Sequence, residues 1–400
     1  MPKHDIIIIG AGIVGLATAL EIITAKPKTK LIIIDKEGKP ALHQTGHNSG
    51  VIHSGLYYRP GSLKAKNCRE GYHQLLKFCR EEELSHEICG KVVVAVSEEE
   101  LPRLEELFKR GQANGLTGIR KLNPEQIREV EPYCCGLQGL YVPQTGIVNF
   151  GRVAERMVEK LNHLGVEIVF NQRIKKITNT VSEVQLASVN STWTSKIVIS
   201  CAGLHSDRLA RLTNSNLDLR IIPFRGDYYR LKKNAQYLVK NLIYPVPDPA
   251  FPFLGVHFTR LITGEVECGP NAVFSFAREA YKKTGFSFLD TWDSISWPGF
   301  RKIARKYWRA GLGEYHRSLS KKAFVKALQR LIPDIRTDHL EPGGAGIRAQ
   351  ACTRAGLLED DFNICHNQRF IHVCNAPSPA ATASLAIGKT IAGQAINKFT

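Results

Sequence analysis

The stretch DIIIIGAGIVGLATAL, residues 5–20, decides the fold of this 400-residue chain. Its four consecutive isoleucines predict a β-strand buried on both faces, and a helix-forming run follows. Gly10, Gly12 and Gly15 lie between strand and helix with the spacing GxGxxG. In this motif the first glycine permits a tight turn, the second leaves room for a pyrophosphate, and the third lets the helix pack on the strand. The stretch therefore predicts a site for a dinucleotide, whose phosphates would meet the free N–H groups of the helix.

A second strand completes the unit. LIIID, residues 31–35, is again apolar and ends in Asp35, twenty residues after Gly15. A carboxylate at this place can bind the hydroxyl groups of a ribose. We therefore expect a Rossmann-like domain whose first cofactor contacts come from Gly10, Gly12, Ile13, Val14, Gly15, Asp35 and Lys36.

The composition is that of an ordinary globular protein. The chain has 43% hydrophobic and 23% charged residues, and its length is sufficient for two hydrophobic cores. The first strand begins at Asp5, and no apolar run reaches the roughly 20 residues of a membrane-spanning helix. We therefore expect neither a signal nor a transit peptide, and a cytoplasmic location. The ten cysteines lack zinc-site spacing, which indicates reduced thiols and no metal site.

The net charge of +17 is concentrated in one basic segment. Residues 298–332 contain ten Lys or Arg and one acid, Glu314, so +9 of the charge lies in 35 residues. From about residue 298 to 312 the pattern is that of a basic amphipathic helix on an anionic membrane. A solvated face over an ordinary core stripe explains the pattern equally well. We expect no nucleic-acid partner, since no nucleic-acid motif is recognisable. If the segment does bind a membrane, its expected lipid contacts are Phe300, Ile303, Tyr307 and Trp308.

Three further stretches have the polar, glycine-rich or turn-forming character of ligand-binding loops. One follows Asp35, one follows an apolar strand at about residue 200, and one precedes a helix expected to begin near Ser378 and to offer backbone donors. Their candidate cofactor contacts are Thr45, His47, Asn48, Ser49, Gly50, Val51, Ala202, Gly203, Ser378, Pro379 and Ala380.

The helix-like and strand-like patterns along the chain predict an α/β (α+β) protein with two discontinuous domains. Residues 1–85, 145–220 and 335–400 are assigned to the dinucleotide-binding domain, with a helix at about 151–164. Residues 86–144 and 221–334 are assigned to a substrate domain, with a short helix near 124–130. Aromatic and β-branched runs such as FPFLGVHFTRLI, residues 251–262, indicate the strands of a mixed or antiparallel sheet.

Several of these blocks together resemble one enzyme family over essentially the whole chain. The blocks are HQTGHNSGVIHSGLYY, residues 43–58, GAGIRAQ, residues 344–350, and NAPSPAATASLAIG, residues 375–388. They resemble the L-2-hydroxyglutarate dehydrogenases (oxidases) of the D-amino-acid-oxidase-like FAD superfamily. The resemblance implies FAD rather than NAD, with the helix after Pro379 against the flavin. It also implies oxidation of L-2-hydroxyglutarate to 2-oxoglutarate, with electrons passed to a quinone or to oxygen.

The chemistry of this oxidation suggests roles for four residues. A hydride moves from Cα to flavin N5, so the site needs a carboxylate clamp and a base for the hydroxyl proton. Arg348 is the expected clamp, because guanidinium binds carboxylate bidentately, and Arg260 is a weaker candidate for the distal carboxylate. His257 and His53 are the candidate bases. We favour His257, because it lies in the sheet expected to face the flavin, whereas His53 could instead contact or orient the flavin.

Two alternatives stay open at this point. An amino-acid or amine oxidase of the same superfamily would use the same hydride position for an uncharged amine. A non-catalytic flavoprotein bound to lipid or RNA is a different class, suggested by the basic segment. If the chain is the dehydrogenase, we expect a small 2-hydroxy dicarboxylate as substrate and a peripheral position on an anionic membrane, near a quinone acceptor.

Overall fold

The computed structural model describes residues 3–214, 216–248 and 254–399. Residues 251–253, the start of the run FPFLGVHFTRLI, lie outside these ranges. The strands are β1 (Lys3–Ile9), β2 (Leu31–Ile34), β3 (Val51–Ile52), β4 (His86–Glu87), β5 (Lys91–Ala95), β6 (Arg120–Leu122), β7 (Gln138–Val142), β8 (Gly146–Val148), β9 (Glu167–Val169), β10 (Lys176–Asn179), β11 (Val184–Ala187), β12 (Thr192–Ser200), β13 (Arg220–Leu231), β14 (Leu242–Pro245), β15 (His257–Arg260), β16 (Val266–Gly269), β17 (Val273–Phe274), β18 (Leu340–Cys352), β19 (Asn363–His366) and β20 (Phe370–Asn375).

The helices connect and cover these strands. They are α1 (Ile13–Ala25), α2 (Leu63–Glu81), α3 (Leu101–Ala113), α4 (Pro124–Val130), α5 (Phe150–His163), α6 (Ser206–Arg211), α7 (Phe288–Ile295), α8 (Pro298–Leu319), α9 (Lys321–Leu328) and α10 (Ser384–Phe399). The predicted helices near 124–130 and 151–164 are confirmed as α4 and α5.

The first sheet contains the predicted dinucleotide-binding unit. Its strands follow the order β10, β11, β12, β1, β2 and β9, with β20 paired to β12 and β19 paired to β20. Strand β1 runs parallel to β2 and β12, and Ile6, Ile7 and Ile8 are at most 1% exposed. Helices α1, α2, α5 and α10 contribute to the core on one face. The strand buried on both faces and the parallel unit around it are therefore confirmed.

The second sheet is mixed, as predicted. Its order is β17, β13, β16, β15, β14, β5, β7 and β6, with β18 paired to β13. Strand β14 is parallel to β5, and the other pairs are antiparallel. The boundary predicted at residue 335 put β18 in the dinucleotide-binding domain, but this strand hydrogen-bonds along β13 in the second sheet, so we reassign it to the substrate domain. With this change, the division into two domains stays a proposal.

The last helix begins later than predicted. Residues 378–383 form turns, and α10 starts at Ser384 instead of near Ser378. Pro379 explains part of the delay, because a proline disfavours the helical conformation of the residue before it. The candidate contacts 378–380 are therefore in a turn that leads into the helix.

Helix α8 extends from Pro298 to Leu319, and its apolar stripe packs mostly inward. Ile303 is 7% exposed, and Phe300 and Tyr307 pack with it against the second sheet, whereas Trp308 is 55% exposed. The prediction that all four side chains contact lipid is therefore wrong for Phe300, Ile303 and Tyr307. Helical periodicity identifies an apolar face, but it does not show whether that face packs on the protein or on a membrane. Among the described residues, no helix combines the length and apolarity needed to cross a bilayer.

Candidate active site

The three glycines of the turn after β1 have two different roles. A Cβ on Gly10, whose φ is +111°, would lie 2.4 Å from the Cys201 carbonyl oxygen, and one on Gly15 would lie 2.1 Å from the Gly10 carbonyl oxygen. At Gly12 the nearest atom to such a Cβ is Thr45 Oγ1 at 3.5 Å, an ordinary contact. Gly10 and Gly15 are therefore required by packing within the chain, whereas the absent side chain of Gly12 leaves space for a ligand.

Side chains around the turn fix its backbone. The Asp35 carboxylate accepts hydrogen bonds from the N–H groups of Ala11 at 2.6 Å and Glu37 at 2.8 Å. Thr45 Oγ1 accepts a hydrogen bond from the Ile13 N–H at 3.1 Å. Each carboxylate oxygen has a second lone pair, so Asp35 can hold the turn and still accept from a ribose hydroxyl.

A cleft with a volume of about 320 Å³ opens beside this turn. The predicted cofactor residues that line it are Gly10, Gly12, Asp35, Lys36, Thr45, Ala202 and Gly203. Ile13, Val14 and Gly15 belong to α1. The other predicted contacts, His47, Asn48, Ser49, Gly50, Val51, Ser378, Pro379 and Ala380, are outside the lining of this cleft.

The two loops that carry the most restricted sequence blocks lie against each other. The His53 N–H donates to Thr382 Oγ1 at 3.1 Å, and Tyr58 is hydrogen-bonded to Ser378. The Asn48 side chain braces the first loop, because its Nδ2 donates to the Thr45 carbonyl at 2.6 Å and its Oδ1 accepts from the Gly50 N–H. These contacts hold residues 43–58 and 375–383 together.

His257 is buried in the second sheet, on the face that carries Tyr244. The two rings stack with centroids 4.0 Å apart. Its Nδ1 lies 2.9 Å from the Gly255 carbonyl oxygen and therefore donates a hydrogen bond, which leaves Nε2 as the acceptor nitrogen. Burial, together with the charges of Arg348 and Lys91, lowers the pKa of His257 to about 3. The imidazole is therefore neutral at physiological pH, as a base must be.

Arg348 and His53 are brought into the same region. Arg348, on β18, is half-buried close to Tyr228 and Tyr244, and burial lowers its pKa without discharging the guanidinium. Burial and the charge of Lys91 lower the pKa of His53 to about 3, with a smaller effect of His257. The structure thus groups three of the four predicted catalytic residues.

Arg260 does not belong to this group. Its Nη2 lies 2.6 Å from Glu87 Oε1, and its Nε donates to the Lys240 carbonyl at 2.9 Å. It is three positions after His257 on β15, so the two side chains leave the strand on opposite faces. The structure therefore does not bring Arg260 into the group, and its guanidinium already pairs with Glu87.

The fold agrees with comparisons to known proteins. A family model described as FAD dependent oxidoreductase matches residues 5–394. The chain belongs to this family. It is 53% identical to the L-2-hydroxyglutarate dehydrogenase of Indibacter alkaliphilus, over 99% of each chain. It is 45% identical to the mitochondrial L-2-hydroxyglutarate dehydrogenase of Caenorhabditis elegans, over 100% of this chain and 94% of that one.

Among solved structures, the FAD-bound L-alpha-glycerophosphate oxidase of Mycoplasma pneumoniae has the same fold. Its TM-score is 0.81 at 23% identity, over 99% of this chain and 95% of that one. The predicted fold class and FAD as cofactor of this family member are confirmed. The space at Gly12 fits the pyrophosphate of FAD, and Asp35 is placed for a ribose.

An ion-pair cluster closes one side of the FAD cleft, and sequence analysis missed its member Glu279. The Glu279 carboxylate lies 2.6 Å from Lys36 and 2.8 Å from His205, and His43 lies 2.9 Å from Glu37. Burial raises the pKa of Glu279, but the hydrogen bonds from His205 and Lys36 outweigh burial and hold it well below its usual value. Glu37, His43 and Glu279 could surround a metal ion, but the Lys36 ammonium already supplies the positive charge there.

Sequence analysis also missed Lys91, Tyr57 and Tyr244. The Lys91 ammonium lies over both tyrosine rings, 4.4 Å from the Tyr57 centroid and 4.9 Å from the Tyr244 centroid. The available signal was a lysine at the start of the otherwise apolar strand KVVVA, residues 91–95. A charged residue in such a strand needs a partner or a function, since burying its charge is costly.

Proposed function

We propose that this chain oxidises L-2-hydroxyglutarate to 2-oxoglutarate at the face of the second sheet that carries Arg348 and His257. The names of its full-length relatives support this substrate. The observation that carries the proposal is the pairing of a half-buried arginine with a neutral, buried histidine in one site. This is the combination that a 2-hydroxy acid requires.

Arg348 binds the C1 carboxylate of the substrate, because its planar guanidinium matches a carboxylate with two parallel hydrogen bonds. The Nε2 atom of His257 accepts the hydroxyl proton while the Cα hydride leaves as an electron pair. Bound FAD supplies the acceptor for that hydride. His53 belongs to the 43–58 loop, which contacts the loop of Thr382, and it orients the flavin.

The low pKa of His257 suits a base that acts only when substrate is bound. Burial and the cations Arg348 and Lys91 lower this pKa in the free site. The carboxylates of the substrate bring negative charge to these cations and so raise the pKa towards the working pH. His257 thereby becomes a stronger base in the complex that needs it.

Product analysis tests this proposal. With L-2-hydroxyglutarate and an electron-accepting dye, the enzyme should form one 2-oxoglutarate for each pair of electrons. L-Glutamate distinguishes the amine-oxidase alternative, because its oxidation would give the same keto acid together with ammonia. Release of ammonia from L-glutamate at a comparable rate would contradict the proposed substrate class.

A second part of the proposal concerns the acceptor side. Helices α7 and α8 pack against each other and present apolar side chains next to exposed cations. Phe288, Leu289 and Trp292 are 68%, 74% and 63% exposed. Such a surface matches an anionic membrane, where each cation contributes about 1 kcal/mol, and it favours a membrane quinone over oxygen as acceptor. The exposed cations are Arg301, Lys302, Arg305 and Lys306.

Liposome co-sedimentation tests the membrane surface. Binding should require anionic lipid, weaken at high salt, and fall when the four cations are replaced together by Gln, or when Phe288, Leu289 and Trp292 are replaced by Ser. Replacing the exposed Lys26 and Lys28, in the turn between α1 and β2, is the matched control and should leave binding unchanged. Equal binding of the wild type and the quadruple variant would remove α8 from the proposal.

A further inference from the structure

A 2-hydroxy dicarboxylate brings two negative charges, and Arg348 can neutralise one of them. Arg260 is bound to Glu87 and leaves β15 on the face opposite His257, so it does not serve the second. The site therefore needs another cation near Tyr244 and His257 to neutralise the second carboxylate.

Lys91 is the cation that the sheet brings to this place. Strand β5 runs parallel to β14, with Val93 opposite Tyr244, so the side chains of Lys91 and Tyr244 leave the sheet on the same face. The Lys91 ammonium contacts the ring face of Tyr244, and His257 stacks on the same tyrosine. Tyr244 and His257 thus form a short aromatic surface. Arg348 and Lys91 are both close enough for their charges to lower the pKa of His257.

No protein carboxylate compensates Lys91. Lys91 is 2% exposed, yet within the described ranges no Asp or Glu oxygen lies within 4.0 Å of its ammonium. The residues outside those ranges include neither Asp nor Glu. Burial accordingly lowers the pKa of Lys91 to about 7. A buried ammonium that lies beside tyrosine rings and has no carboxylate partner is costly unless an anion joins it.

We infer that Lys91 binds the distal carboxylate of the substrate and thereby sets the preference for 2-hydroxy dicarboxylates over 2-hydroxy monocarboxylates. The inference rests on the proposed oxidation of L-2-hydroxyglutarate. With the C1 carboxylate on Arg348 and the hydroxyl at His257, the rest of the substrate extends along Tyr244 to Lys91. The half-buried ring of Tyr57, 4.4 Å from the ammonium, limits the length of substrate that fits.

The test compares two substrates that differ in the distal group, L-2-hydroxyglutarate and L-2-hydroxypentanoate. Lys91→Met should lower kcat/KM for the dicarboxylate by about 10- to 150-fold, the effect of losing a hydrogen bond to a charged group. The kcat/KM for the monocarboxylate should stay the same or rise. Lys91→Arg, which keeps the charge, should retain most of the preference.

Controls separate this role from folding and from the chemical step. Lys121→Met is the matched control, because Lys121, on β6 of the same sheet, also covers an aromatic ring, that of Phe108 on α3, but has its own partner, Glu105. It should leave both substrates unaffected, and FAD content and thermal stability show whether each variant folds. Equal losses for both substrates with Lys91→Met, or no loss for either, would overturn the inference.

Glutarate, which has two carboxylates but no hydroxyl group, keeps the test independent of turnover. It should perturb the flavin spectrum of the wild type with a Kd that rises about 10- to 150-fold in Lys91→Met. If the wild type oxidised neither hydroxy acid, the proposed function would fail while the glutarate result still tested Lys91. An unchanged glutarate Kd would overturn the role of Lys91 even if the oxidation proceeds as proposed.

Discussion

The rings of His257 and Tyr244 stack with their centroids 4.0 Å apart and their planes inclined by 24°. The two residues come from the antiparallel strands β14 and β15, in which Ile243 lies opposite Phe258. Because Nδ1 of His257 donates to the Gly255 carbonyl, the imidazole is held in both orientation and tautomer. A base that is fixed in this way can accept a proton without first reorganising.

Replacing this base should slow the chemical step more than it weakens binding. In His257→Ala we expect the limiting rate of flavin reduction by L-2-hydroxyglutarate to fall by about 10²- to 10⁴-fold, the usual contribution of a positioned base. Stopped-flow absorbance of the flavin measures this rate separately from the substrate Kd. His163→Ala, at the exposed end of α5, is a control. A larger loss in His53→Ala than in His257→Ala would transfer the role of base to His53.

Arg348→Lys tests the carboxylate clamp. Lysine keeps the charge but loses the planar fork, so we expect retained FAD and a kcat/KM lower by roughly 10- to 150-fold. The exposed Arg336 provides the matched control, Arg336→Lys, which should change nothing measurable. Catalytic efficiency equal to wild type in Arg348→Lys would exclude Arg348 from the site.

The pH dependence of kcat/KM should show the ionisation of Lys91. The pKa of this lysine is about 7, so its charge is present below that pH and is lost above it. For the dicarboxylate we expect kcat/KM to decline above about pH 7. It should stay level between pH 7 and about 5, because the pKa of His257 is about 3 and the carboxylates of the substrate stay mostly ionised in this range. The decline should be absent in Lys91→Met, and a persistent decline there would assign it to another group.

The glycine turn allows cofactor binding to be separated from folding. A methyl group at Gly12 meets no atom of the chain closer than 3.5 Å, so Gly12→Ala should fold normally and lose FAD affinity. At Gly15 the same methyl group would lie 2.1 Å from a backbone oxygen, so Gly15→Ala should lower the melting temperature as well. Gly393→Ala, which meets nothing within 4 Å, is the control. Flavin absorbance per chain and thermal unfolding measure the two effects, and full FAD content in Gly12→Ala would contradict this account.

The parts of the fold that depend on local sequence were predictable. The unit β1–α1–β2 is encoded in about 30 consecutive residues, because the isoleucine run, the glycines and Asp35 each have a local structural cause. The pairing of β18 with β13 was not predictable in the same way, because it joins residues more than 100 positions apart.

The same distinction applies to the site. Arg348 and His257 could be proposed from the chemistry of a 2-hydroxy acid and from the resemblance of their sequence blocks. The partner of Arg260, Glu87, is 173 positions away, and no sequence pattern showed that this arginine was already bound. Lys91 reaches Tyr244 only through the parallel pairing of β5 and β14, so its place in the site could be seen only in three dimensions.

Anaerobic titration of the bound flavin shows directly whether this site oxidises a 2-hydroxy acid. The purified protein is mixed without oxygen with L-2-hydroxyglutarate, with L-glutamate or with buffer, and the visible absorbance of the flavin is followed. We predict that L-2-hydroxyglutarate alone bleaches the flavin and that 2-oxoglutarate forms in equal amount. Bleaching by L-glutamate, or an oxidised flavin that persists in excess L-2-hydroxyglutarate, would contradict the assignment of this site to 2-hydroxy acid oxidation.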